Sequence, residues 1–304
     1  MLPTNFLTFA GFIAISTKFG YWGGGFTTDF VSTVFKFNFD LETGSTLGTG
    51  LSTALSIPTG FSNSGIAGYV AGGGASGGDV STVQKFAFPA DTRTTLATGL
   101  SAVTSGGGSG GNKGVAGYVA FGDQTQTVNK IAFSNDSRSI LATGLSENRS
   151  RTAGFVNNAS AFYTGGMLSA STVIDKFATS NDSRSTLANG LSVGRWNPEG
   201  ASNQGVAGFI CGGQNGVSPN AISNVIDKIT YSNDTSSAFT TSTFEGPGAC
   251  SYDGVALYNA GGYDGSAPRV NTIRKIPYST QVTSTITATL SANTAGMASW
   301  EHND

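Results

Sequence analysis

Histidine is all but missing: the 304-residue chain has one, His302. A histidine-based triad, a multi-histidine metal site, or chemistry that turns on a buried imidazole is thereby nearly excluded. Cysteine is scarce as well. Cys211 and Cys250 are too few to form a disulfide framework in a chain this long, and Cys211 lies in the apolar run 206–211, where an inert buried thiol is expected. Charge is thin: 16 Lys plus Arg and 18 Asp plus Glu make 11% of the chain, against about a quarter in average soluble proteins. With a net charge of −2 and no run of Lys or Arg, a nucleic-acid partner is not expected. The first residues lack the positive segment of a signal peptide, and the apolar stretch 10–15 is far too short for a bilayer. The expectation is synthesis in a cytoplasm with no signal peptide, no membrane insertion, no metal and no cofactor.

What is abundant is glycine, 44 residues, together with 20 phenylalanines and an apolar share of 38%. That much apolar surface at so low a net charge argues for a folded core. The chain also repeats itself. A glycine doublet after a short apolar run stands at Gly23-Gly24, Gly72-Gly73, Gly165-Gly166, Gly212-Gly213 and Gly261-Gly262, with Phe121-Gly122 as a degenerate third copy. A β-branched residue, any residue, Lys, then Phe or Ile comes after each doublet, with its lysine at Lys36, Lys85, Lys130, Lys176, Lys228 and Lys275. Gly-Leu-Ser recurs at Gly50, Gly99, Gly144 and Gly190.

Each unit reads as four short strands bounded by Gly, Asn, Asp and Ser turns, and no window carries a helical apolar period. Six units of four strands predict an all-β chain, a single six-bladed β-propeller of four-stranded antiparallel blades; a β-solenoid, which has shorter rungs, is the rival. The blade repeats fall near 10–52, 58–101, 113–146, 152–192, 199–243 and 248–291, with 292–304 as closing strand and tail. Segments 10–14 and 294–300 both resemble a first strand, and the sequence does not decide which closes the ring. Gly and Ala in the second strand of each unit suit close approach between blades. The run 106–111 formally matches a dinucleotide glycine pattern but lacks its strand-to-helix context, so it reads as a loop.

Each lysine but the last has an acid six residues on: Lys36 with Glu42, Lys85 with Asp91, Lys130 with Asp136, Lys176 with Asp182 and Lys228 with Asp234; Lys275 faces Gln281. Several of these acids sit in Ser-Asn-Asp turns, which places them in the hairpin between strands three and four. The expectation is a structural ion pair within each unit, the lysine stem lying along the blade. The rival is a ring of cations that binds an anion.

Loops between strands two and three, and linkers from one unit to the next, share one face of such a fold. They vary in length, whereas the opposite turns are nearly uniform. Length variation in repeat proteins marks the binding face. The candidate contacts there are Arg195, Trp196, Tyr263, Asp264 and Arg269, residue types that dominate interface energetics. No catalytic residues are identified.

At the glycine doublets and the segments just after them, best seen over residues 256–276, the chain resembles kelch-type β-propellers, in a divergent form with Leu96, Leu141 and Leu187 at the usual tryptophan position. Copper-dependent kelch oxidases need histidine ligands that this chain lacks, and the boxes of sialidase-like propellers are absent. The Ser-Thr-Val-x-Lys-Phe and Leu-Ala-Thr-Gly-Leu-Ser phrases are also similar to propeller repeats of tailed-phage virion proteins. That resemblance implies a non-enzymatic structural or adhesion protein of a tail fibre, baseplate or capsid surface. It would be located on the virion after synthesis in the host cytoplasm, and would bind other virion proteins or host-surface carbohydrate. A cellular kelch-type scaffold or lectin is the alternative.

Overall fold

The computed structural model describes residues 18–166, 170–215, 221–241, 248–252, 254–263 and 269–303. Among them there is no helix; six four-stranded antiparallel sheets form a six-bladed β-propeller. The innermost strands are Thr59–Asn63, Gly108–Asn112, Ala153–Val156, Glu199–Asn203, Gly248–Tyr252 and Ala298–His302. Each packs on the next, and Ala298–His302 touches both Thr59–Asn63 and Gly248–Tyr252, which closes the ring. This last strand belongs to blade 1, where it pairs with Phe19–Gly23, so the blade joins the two ends of the described chain. Of the two closing candidates, 294–300 therefore overlaps the strand that closes; 10–14 lies outside the described residues.

The glycine-rich run read as a loop is corrected. Gly108–Asn112 is the innermost strand of blade 3, and its composition reflects crowding at the axis. A Cβ on Gly111 would stand 1.8 Å from the Ser62 carbonyl oxygen, and one on Gly60 2.3 Å from that of Ser299. The inner strands thus meet backbone to backbone. Midway along the inner strands the axis keeps a void of 40 Å³, room for roughly one or two waters, and it widens to 190 Å³ at the end lined by Ser64, Lys113, Asn158 and Glu301.

The small residues of the second strands have a related cause. The central residue of an inner strand projects onto the second strand of the next blade. Trp300 lies over Gly68, Phe61 over Gly117 and Phe155 over Gly208, each so close that a Cβ would fall within about 2 Å of the ring. Where the inner residue is small, as at Ala201, the second strand of the next blade carries Leu257 in the same cluster. Blades therefore pack by complementary volume, and the core is divided into layers between blades.

The doublets turn the chain from the second strand toward the third. Gly72 and Gly73 have φ of 62° and 108°, and the Gly73 amide donates to the Thr104 carbonyl in the next linker at 2.8 Å. In blade 1 the equivalent pair is Gly24-Gly25, one residue later than the doublet counted from sequence. Blade 3, with Phe121-Gly122, makes the same turn differently: the Gly122 amide donates to the Thr104 hydroxyl.

Candidate functional site

The charged residues first settle the seams between blades. Lysine and acid do not pair within a unit; this expectation is corrected. Lys36 bonds Asp91, Lys85 bonds Asp136, Lys130 bonds Asp182 and Lys176 bonds Asp234, at 2.7–2.9 Å. Lys275, which has no acid in its own unit, reaches across the closure to Glu42. Every acid thus serves the lysine of the preceding blade. Within one blade the lysine bonds toward the next blade and the acid toward the preceding one, so the two do not meet. The acids sit at the left-handed position of the hairpin, φ 51° to 58°, and Gln281 holds that position in blade 6 at 59°. Lys228, opposite Gln281's blade, lies 6.0 Å from the Phe239 ring centre instead.

In four of the five pairs a tyrosine directly across from the lysine completes it; across from Lys176 stands Phe162. Tyr21, Tyr69, Tyr118 and Tyr258 donate their hydroxyls to Asp91, Asp136, Asp182 and Glu42 at 3.0–3.3 Å. Burial, then the adjacent carboxylate, pushes the Tyr69 and Tyr258 phenols up from their ordinary value of 10.0. The phenols stay neutral and act as donors. This belt accounts for five of the six repeated lysines without a ligand.

A second seam lies in the linkers. The residue before each motif lysine is buried and polar in blades 2 to 5: Gln84, Asn129, Asp175 and Asp227. Each side chain accepts from the backbone amide of the preceding Gly-Leu-Ser serine, at Ser52, Ser101, Ser146 and Ser192. Where this residue is Asp, a buried arginine four residues beyond the linker leucine pairs with it: Arg149 with Asp175 at 3.0 Å, and Arg195 with Asp227. The expectation of Arg195 on the binding face is corrected: it is fully buried, its guanidinium also donating to the Val225 and Ile210 carbonyls. Desolvation lowers its pKa, and Asp227 opposes that effect. The sequence signal is the co-occurrence of Arg in the linker with Asp in the next motif.

Two residues farther along each of the five described linkers comes a left-handed residue: Ile57, Gly106, Arg151, Asn197 and Gly296, φ 46° to 65°. Their peptide groups hydrogen-bond from linker to linker around the axis: Ile57 N to Gly296 O, Gly106 N to Ile57 O, and Asn197 N to Arg151 O, each 2.9 Å. On this ring opens a recess of 340 Å³ lined by Phe26, Phe30, Ile57, Arg151, Asn197, Gln214, Tyr263 and Arg269, among others. The volume is at the lower end of ligand pockets, roughly 300–1,000 Å³. Tyr263 and Arg269 pair across the loop of blade 6, and the Arg269 guanidinium lies 4.1 Å from the Phe26 ring centre and 5.5 Å from that of Tyr263. Arg151 lies 5.2 Å from the ring centre of Trp196, itself tied by backbone hydrogen bonds to Gln214.

Of the five binding candidates, Tyr263 and Arg269 line this recess and Trp196 abuts it through Arg151. Arg195 belongs to the interior, and Asp264 lies outside the described residues. Phe26, Phe30, Arg151, Asn197 and Gln214 carry no signal in the sequence, because only closure of the ring brings blades 1, 4, 5 and 6 to one point.

Cys211 and Cys250 are both free and buried, and burial pushes the Cys211 thiol up to about 12. Among the described residues no group of three or more His, Cys, Asp or Glu could hold a metal ion, and no helix is long and apolar enough to cross a membrane. Compared with known proteins, the chain matches no family model and no curated protein.

Proposed function

We propose that the chain is a non-enzymatic recognition and structural module that binds through the loop end of the propeller, at the recess on the axis. One observation carries this reading: the recess gathers three aromatic side chains, two arginines and two amides from separate blades, while the rest of the lysine-and-acid repertoire is largely consumed in the seams. Aromatic and arginine side chains converging in a partly enclosed hollow suit the binding of a compact polar group. The repeat phrases, similar to those of tailed-phage propellers, support a setting on a virion surface, with host-surface glycan or a neighbouring virion protein as the bound partner. A cellular scaffold or lectin would use the same end.

A glycan array probed with the purified chain tests the reading. Binding is expected to fall sharply in Phe26→Ala and Tyr263→Ala and to persist in Leu41→Ser, which alters an exposed hairpin residue at the other end. Loss in Leu41→Ser with retention in the recess variants would move the site elsewhere. Turnover of any bound glycan would overturn the non-enzymatic assignment.

A further inference from the structure

Resting on that reading, we infer that the recess takes an anionic saccharide, a sugar ring bearing a carboxylate or a sulfate. Five of the six motif lysines face a carboxylate, and so do the buried arginines Arg149 and Arg195. Arg151 and Arg269 differ. Both line the recess; among the described residues no carboxylate lines it with them and neither forms an ion pair. Their immediate neighbours are aromatic faces: Trp196 for Arg151, Phe26 and Tyr263 for Arg269. Stacking fixes a guanidinium plane while leaving its edge donors for a carboxylate or sulfate, which such a planar fork can match with two hydrogen bonds. Two cations lining one recess repel each other, and an anion bound between them would offset that repulsion.

The surroundings favour a sugar over an acidic peptide. At 340 Å³ the recess matches a compact group, and an extended chain would lie largely outside it. Asn197, Gln214 and Ser56 offer donors and acceptors to hydroxyls, and Phe26, Phe30 and Tyr263 offer apolar faces to ring carbons.

The test is calorimetric titration of the intact chain with sialyllactose and trigalacturonate (carboxylate), a sulfated chondroitin disaccharide (sulfate), lactose (neutral) and hexaglutamate (acidic peptide). At least one acidic sugar is expected to bind about tenfold tighter than lactose, less so at high salt, and the carboxylate and sulfate arms tell the two anions apart. Arg269→Gln and Arg151→Gln should each weaken that binding by about tenfold, and Arg269→Lys should restore only part of it. Thermal melts of the same variants verify folding. Equal affinity for lactose and sialyllactose, with both abolished in Tyr263→Ala, would leave the recess as the binding site and sink the anionic assignment. Binding of hexaglutamate alone, unchanged affinity in both arginine variants, or no acidic sugar bound at millimolar concentration would also overturn it.

Discussion

The seams between blades and the recess at the axis use the same side chains to different ends. In the belt, a tyrosine and a lysine on adjacent strands converge on a carboxylate from the next blade; Tyr69, Lys85 and Asp136 are one such set. In the recess, a tyrosine and an arginine converge with no acid among the described lining residues. Arg149 and Arg151 sharpen the contrast, since they are two residues apart in one linker. The first is buried on Asp175; the second stands at the rim, against Trp196. A cation matched inside the fold contributes to stability, whereas one left unmatched at a concave surface is free to contribute to binding. A chain with so few charges makes the difference easy to see.

The contrast can be tested in steps, beginning where the largest effect is expected. Arg195→Met leaves Asp227 buried without its cation and should cost about 3–5 kcal/mol, read as a lowered denaturant midpoint. The double change Arg195→Leu with Asp227→Gln copies Leu55 and Gln84 of blade 2, and should recover most of that loss. Asp136→Asn takes the charge from one belt set and should cost about 1–2 kcal/mol, more than an exposed pair because Tyr69 also donates to it.

A pH effect comes next. A phenol held protonated in the fold keeps a proton that the unfolded chain releases near its ordinary value of 10.0, so stability falls as pH rises above about 10. Lys130 works in the same direction: burial lowers its pKa, but the bonds to Asp182 and Tyr118 outweigh this and leave it above 10.5, so its share is likewise lost in alkali. Urea midpoints measured at about pH 8 and about pH 11 should therefore diverge, and Tyr69→Phe with Tyr118→Phe should shrink the gap. Equal midpoints in the wild type would remove the phenols from the account. Gln281→Asp, which supplies the missing acid opposite Lys228, should raise stability by roughly 0.2–1 kcal/mol. The smallest effect on stability is expected from Arg269→Gln, whose consequence should be confined to ligand binding.

Much of the fold can be read from the spacing of six lysines, the glycine doublets and the Gly-Leu-Ser phrases, because each landmark performs one local task in every blade. Asn135, Asn181 and Asn233 show how local: each side chain accepts from the amide two residues on, the turn chemistry that composition suggests. The pairing partners cannot be read in this way. A separation of six residues points to a contact within the hairpin, but Lys36 faces blade 2 and Glu42 faces blade 6. Arg195 misleads for a similar reason. Its Asp227 partner is 32 residues away, and only the register of the third strand against the preceding linker brings them together.

The amino-acid order alone set the strands, the turns and the number of blades, since alternation, left-handed turn positions and repeat length are properties of short stretches. Which face meets which neighbour, which terminal segment closes the circle, and which two arginines line the recess were decided by the closed ring. Curvature around an axis brings together residues that are far apart in the chain, and no local pattern encodes their meeting.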